Sequence, residues 1–255
     1  MSSKRIVVVP DPHSHWEHSN ARFDWLGKFL VDMKPDIVVN LGDHFDMPSL
    51  SEFDKGKRSF VSKNYKKDIE AGLDAHERMW GPVYRQKKKR PETWVFEGNH
   101  EHRIERALDL TPQLEGTIGF SDYDFDRYYD HVIKYSGGSP GIAEVCGIQI
   151  AHFFVTGVSG RPVSGERPAH MLINKYGASC IQGHTHVLDY ATRKSPFGKI
   201  SHGAVLGCYQ DYINDWAGEP IGNQWRGGIA VLDNAEAGDF DFRWVGIDSL
   251  KKEYA

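Results

Sequence analysis

The chain has 255 residues, 40% of them apolar and 26% charged, with a formal net charge of −4. That balance is ordinary for a soluble globular protein and excludes global attraction to nucleic acid or an anionic membrane, so any such binding needs a local patch. Cys146, Cys180 and Cys208 are too few and too widely spaced for a disulfide framework or a thiolate metal site. They suit the reducing cytoplasm, which is the expected location. The N-terminus, MSSKRIVVVPDPH, turns polar after one short strand. It reads neither as a signal peptide nor as a membrane span, which needs about 18 or more apolar residues.

The chain opens with a strand over 6–9, followed by a helix over 20–33 with Phe23, Leu26, Phe29 and Leu30 at helical spacing. Pro35 separates it from a strand over 36–40, which makes a βαβ unit. The polar stretch from Pro48 to Pro91 holds an amphipathic helix marked by Ile69, Leu73, His76 and Trp80. A strand over 93–97 and a helix over 103–110 come next, the latter ending before Pro112. Residues 116–139 are aromatic and acidic and read as irregular structure leading to a strand. From Ile142 short strands dominate, at 143–145, 148–154, 179–182, 189–192, 199–205, 228–233 and 240–245, with one helix over 168–176. There are no repeats and no Ser/Gly-rich linker, so residues 1–255 read as one α/β domain of two packed sheets with flanking helices.

Five blocks carry the chemistry: Asp11-Pro12-His13, Gly42-Asp43-His44-Phe45-Asp46, Gly98-Asn99-His100-Glu101, Ala151-His152 and Gly183-His184-Thr185-His186. Each lies in or just after a run rich in β-branched or aromatic residues, hence at the end of a strand, where α/β folds place their chemistry. An isolated Asp before Pro is ordinarily a turn former, and Gly-Asn-His-Glu alone is a strand-to-helix turn. Five such blocks in order point instead to a centre for two divalent ions. Oxygen and imidazole donors favour Mn, Fe, Zn, Mg, Co or Ni, with manganese placed first. Asp43 has two carboxylate oxygens and can bridge. Two ions about 3.5–4 Å apart hold a hydroxide nucleophile and clamp a phosphoryl group. His100 is placed to protonate the leaving group, with Asp46 orienting its ring.

The pattern D-x-H … G-D-x-x-D … G-N-H-E … H … G-H-x-H, from Asp11 to His186, resembles that of the calcineurin-like metallophosphoesterase superfamily. The resemblance implies that Asp11, His13, Asp43 and His186 hold one metal. It implies that Asp43, Asn99, His152 and His184 hold the other, and that His100 and Asp46 form the proton-donating pair. It also implies a β-sandwich flanked by helices with the metals at one edge, at the C-terminal ends of strands. Met47-Pro48 follow Asp46 where the superfamily's protein phosphatases have Arg-Gly, which argues against that activity. Its double-strand-break repair nucleases usually carry His at the Asp46 position, which lowers the nuclease reading. The layout is closer to small bacterial and phage-encoded phosphoesterases, which implies the cytoplasm of a bacterial or phage-infected cell.

His15, His44, Arg103 and Arg161 are candidates for substrate contact, each weighed against a plain loop or surface role. Lys55–Lys67 interleaves Phe60 and Tyr65 with cations, which suits a nucleic-acid backbone or a solvated helix. Gly157–Arg167 is a candidate rim of the pocket, and Tyr209, Tyr212, Trp216 and Trp225 read mainly as packing residues. The expected function is hydrolysis of phosphodiesters, small or nucleotide-derived. A phosphomonoesterase, a nuclease of DNA or RNA processing and a non-catalytic scaffold stand as alternatives. The expected partner is a phosphate ester, nucleotide or nucleic acid, and no membrane.

Overall fold

The computed structural model describes residues 3–57, 60–86, 89–158, 160–214 and 217–255. Arg58, Ser59, Ser159 and Trp216, which fall in stretches singled out above, lie outside the described residues, as do Lys87, Lys88 and Asp215.

The first half runs β1 (Lys4–Val9), α1 (Ala21–Met33), β2 (Ile37–Asn40), α2 (Tyr65–Tyr84), β3 (Glu92–Phe96), α3 (Arg103–Leu110), α4 (Phe125–Tyr128) and β4 (His131–Ile133). The second half runs β5 (Ile142–Val145), β6 (Ile148–Ala151), β7 (Val155–Thr156), β8 (Arg161–Pro162), α5 (Pro168–Tyr176), β9 (Cys180–Gln182), β10 (Asp189–Lys194), β11 (Ile200–Val205), α6 (Gly218–Gly222), β12 (Gly228–Glu236), β13 (Asp239–Gly246) and α7 (Ile247–Tyr254). Most strands match the expected ones within a residue or two. The strand expected over 148–154 stops at Ala151, because beyond it the Phe154 amide donates to the Gln182 side chain instead of a neighbouring strand. The β7–β8 hairpin, α6 and α7 were not expected.

Six strands form one sheet in the order β13-β12-β1-β2-β3-β4, and five form another in the order β10-β11-β9-β6-β5. Strands β1, β2, β3 and β4 are parallel, as are β6, β9 and β11. Alternation sorts the side chains. Ile6, Val8, Ile37 and Val39 face Ile148, Ile150, Ile181 and Ala204 of the second sheet and form the seam of the sandwich. Val7, Val9 and Val38 face the other way and meet α1 and α2 through Phe23, Leu26, Met79 and Trp80. Helix α5 covers the outer side of the second sheet with Ala169, Leu172 and Ile173. The result is a two-sheet sandwich flanked by helices.

Helix α2 begins at Asn64, whose side chain accepts from the Lys67 amide at 3.1 Å. It carries His76 into an aromatic layer under the loop after β2. There His76 stacks on His44 at 3.8 Å and 9°, and on Tyr128 at 4.6 Å, and both histidines are wholly buried. Burial pushes the pKa of His44 down to about 3 and that of His76 well below its usual value. An imidazole kept neutral in the fold but protonated in the unfolded chain favours unfolding once the pH falls below about 6.5, at about 1.4 kcal/mol per unit. A His76→Phe protein should therefore gain roughly 2 kcal/mol over the wild type between pH 8 and pH 5. Urea melts at the two pH values check this, and parallel profiles would mean that His76 is not the neutral group.

Candidate metal centre

Three parallel strands of the first sheet and two of the second end at the same edge. Asp11 and His13 follow β1, Asp43 and Asp46 follow β2, Asn99 and His100 follow β3, His152 follows β6, and His184 and His186 follow β9. The loops after β1 and β2 stay paired past the strand ends: the His13 amide donates to the Asp43 carbonyl at 2.8 Å and the Ser14 amide to the His44 carbonyl at 2.7 Å.

Asp11, His13, Asp43, His184 and His186 all sit in the left-handed region, with φ of 41°, 45°, 51°, 71° and 60°. For residues other than glycine this conformation costs on the order of 1–2 kcal/mol each. Strain of that kind persists where the surroundings over-determine it and clusters at functional sites. Glycines permit the approach: a Cβ on Gly98 would lie 2.1 Å from Asp43 Oδ1, and one on Gly183 would lie 2.0 Å from Asp11 Oδ2.

The donor atoms converge on Asp43. Its Oδ2 lies 3.7 Å from His13 Nε2 and 3.4 Å from His152 Nε2. On one side His13 Nε2 faces His186 Nε2 at 3.1 Å, and His186 Nε2 is 3.8 Å from Asp11 Oδ1. On the other, His152 Nε2 is 2.9 Å from Asn99 Oδ1, and the His184 ring lies 5.2 Å from the His152 ring. His13 Nδ1–H donates to Asp46 Oδ1 at 2.9 Å and His152 Nδ1–H donates to the Leu41 carbonyl at 2.9 Å, so each ring presents its Nε2 inward. Such outward anchoring of the second nitrogen is how metal-binding imidazoles are oriented.

Charge is concentrated here with little water to screen it. Burial alone would raise Asp43, but the neighbouring imidazoles, His152 foremost and then His100, hold its carboxyl well below the usual range. Burial opposes charge on His152, yet Asp43 and Asp11 carry it up to about 9. Burial, reinforced by Asp43, lifts Asp11 to about 7, and burial drives His184 down to about 3 and His186 well below its usual value. The carboxylates thus draw a proton onto His152 that an ion bound there would displace, while His184 and His186 stay neutral, the form in which imidazole binds metal. His184 Nδ1 is buried with no hydrogen-bond partner among the described residues. The sets Asp11–His13–His186 and Asp43–His152–His184 each bring their donor atoms within 4.8 Å of one another, so these buried groups could hold metal ions.

His100 lies against this cluster, its ring 4.6 Å from that of His13. Its Nδ1–H donates to the Asp46 carbonyl at 2.6 Å and lies 3.1 Å from Asp46 Oδ1, so Asp46 orients His13 and His100 together. Arg103 Nη2 donates to His100 Nε2 at 3.0 Å, and burial followed by the Arg103 charge lowers the pKa of His100. His15 reaches the rim, with Nε2 3.9 Å from Asp46 Oδ2. His44 does not: its Nδ1 accepts from Asn40, its Nε2–H donates to the Gly72 carbonyl, and it is buried on His76, so it has no surface to offer a substrate. Arg161 is exposed on β8, and among the described residues no contact joins it to the cluster.

Sequence reasoning assigned no role to Glu101. Its carboxylate accepts from the amides of Asp43, Gly98 and Phe45, each at 2.9 Å, and ties the loops after β2 and β3 together. Two rings read mainly as packing also reach the centre: Trp225 lies edge-on to His186 at 4.4 Å, and the Tyr212 hydroxyl donates to the His13 carbonyl at 2.6 Å.

No protein-family description matches the chain. It is 29% identical over 190 residues to the Gene 54 proteins of Mycobacterium phages L5 and D29, covering 72% of this chain and 69% of theirs. Among solved structures it is similar to TT1561 of Thermus thermophilus, with a TM-score of 0.43 and 10% identity over 96% of this chain and 100% of that one. It is also similar to the Pseudomonas putida nuclease MPE, with a TM-score of 0.39 and 11% identity over 93% of this chain and 87% of that one.

Proposed function

We propose that this protein is a two-metal phosphoesterase that cleaves phosphodiesters of nucleotide type. The observation that carries the reading is Asp43 Oδ2 standing between two inward-facing imidazole donor sets, on loops held in left-handed conformations. Asp11, His13, Asp43 and His186 would hold one ion, and Asp43, Asn99, His152 and His184 the other. When bound, the ions supply Lewis-acid charge and an activated water-derived nucleophile. The mixed oxygen and nitrogen donors suit manganese and its neighbours.

The chain's own part is orientation and proton transfer. Asp46 fixes His13 for binding and His100 for donation through the same carboxylate. A proton for the leaving oxygen has to sit on His100 Nε2, where Arg103 now donates. A phosphate arriving beside Arg103 takes up that guanidinium and frees Nε2 to carry a proton. Arg103 is thus both a phosphate contact and the partner His100 gives up when substrate binds. No helix among the described residues is long and apolar enough to cross a membrane. The free thiols Cys146, Cys180 and Cys208 accord with work in the cytoplasm of a bacterial or phage-infected cell.

The test is hydrolysis of bis-p-nitrophenyl phosphate and p-nitrophenyl phosphate by stripped protein after single divalent ions are restored. Diester cleavage about tenfold or more faster than monoester cleavage, recovered best with manganese, is the expected result. Faster monoester cleavage would make the protein a phosphatase, and chelation without effect would remove the metal reading.

A further inference from the structure

Helix α3 places two guanidinium groups beside the centre. Arg103 and Arg106 are three residues apart and share a helix face, and both line a cavity of about 240 Å³ bounded also by Asn99, Ser49, Lys55 and Phe53. Arg103 donates to the carbonyls of Asp46 and Met47, and Arg106 to the carbonyl of Asn99. Among the described residues neither is paired with a carboxylate, whereas Lys55 on the same wall lies 3.5 Å from Glu52. Phe53 is 80% exposed. A large apolar ring left in solvent beside two unneutralised arginines is a place for a flat group that carries an anion.

The position of the cavity selects that group. Arg103 touches His100 Nε2, the atom that faces the leaving oxygen in the reading above. Whatever is attached to that oxygen lies beyond His100, on the side of Asn99 and Arg103, which line the cavity. Its volume falls below the roughly 300–1,000 Å³ of a pocket that encloses a small molecule. It has room for a phosphate and part of a sugar, with a base outside on Phe53.

We propose that this cavity is a subsite for the next nucleotide of a single-stranded oligonucleotide, on the leaving-group side of the scissile bond. Arg106 holds the phosphate of that nucleotide and Phe53 stacks on its base. The proposal rests on the phosphodiesterase reading and names its substrate class. A duplex keeps its bases stacked on one another and cannot offer one to Phe53, which is why the strand is single.

The experiment compares kcat/KM for a thymidine trinucleotide with kcat/KM for bis-p-nitrophenyl phosphate in metal-loaded protein. Arg106→Ala is expected to lower the ratio of the two by about tenfold or more, with Arg106→Lys recovering part of it. Phe53→Ala is expected to lower it about fivefold or more, with Phe53→Tyr holding it. The salt dependence of trinucleotide cleavage should become shallower by about one phosphate contact in Arg106→Ala. A ratio unchanged in both alanine variants overturns the subsite, as does a wild type that cleaves the small diester but not the trinucleotide. A wild type that cleaves neither defeats the phosphodiesterase reading. The subsite is then decided by fluorescence anisotropy of a labelled thymidine trinucleotide: a loss of affinity of about tenfold in Arg106→Ala supports it, and equal affinity overturns it.

Discussion

An Asp43→Ala protein is expected to lose bound metal and activity together, whereas His100→Ala should keep its metal and lose only turnover. Asp43 Oδ2 lies between the two donor sets, and its charge is what lets His152 and His13 crowd together at 3.4 and 3.7 Å from one oxygen. Alanine there leaves two rings with opposing donors and no bridge. A loss of several kcal/mol of transition-state stabilisation follows, about a thousandfold or more in kcat. His100 stands on the rim, its Nε2 3.9 Å from Asp43 Oδ2, and its Nδ1–H is anchored on Asp46. Removing a proton donor alone costs about 10²–10⁴-fold. Metal analysis of both purified variants beside their kinetics decides the matter. The rival arrangement is explicit in the geometry, since His13, Asp43 and His100 also bring donor atoms within 4.8 Å of one another. Equal metal loss in the two variants would make His100 a ligand and leave the protein without its assigned proton donor.

Much of this fold is readable from the sequence because buried parallel strands are short β-branched runs. IVVV and DIVVN place β1 and β2 within two residues, and the helical spacing of Phe23, Leu26, Phe29 and Leu30 places α1. The ligand-type residues are readable for a related reason: a polar group at the end of an apolar strand has nowhere to go but the sheet edge. Helix α7 was also present as a pattern, with Ile247, Leu250 and Tyr254 on one face, but its eight residues follow a strand directly, with Gly246 alone, the last residue of β13, to mark the change. Side-chain direction within a loop is different in kind. Neighbours Asp43 and His44 part company, one inward to the centre and one down onto His76, because φ of Asp43 is 51°. Composition does not carry that dihedral, so motif adjacency suggested a substrate contact where the chain has a core residue. Arg103 shows the same gap. Its proximity to His100 follows from helical spacing, but that it donates to Nε2 depends on the Asp46 and Met47 carbonyls that receive its other nitrogen.

Glu101 should prove to be the residue on which the site's shape depends most, although it is no candidate ligand. Its two oxygens take the amides of Asp43, Gly98 and Phe45, and it is fully buried. Glu101→Ala orphans three buried N–H groups at about 1–3 kcal/mol each, a sum comparable with the whole stability of an ordinary domain. That variant is expected not to fold to a metal-binding state. Glu101→Gln is the sharper probe. Oε2 receives two amides and Oε1 one, so an amide side chain in either orientation sets its NH₂ against at least one donor. The glutamine variant should fold with metal affinity reduced about 10–100-fold, as when an outer partner of a metal site is removed. Its pH behaviour separates this from general damage. In metal-free protein, burial followed by the Asp43 charge lifts Glu101 to about 7, against about 4.3 in an unfolded chain. The folded state then holds a proton that the unfolded state has released. The resulting stabilisation is full below about pH 4.3 and is lost as the pH rises through 7, a change of roughly 3 kcal/mol. Glutamine cannot titrate. Between pH 4.5 and 7.5 the stripped wild type should lose roughly that much stability relative to Glu101→Gln by denaturant melts. Identical pH profiles for the two proteins would show that Glu101 stays ionised, and the account of its burial would have to be abandoned.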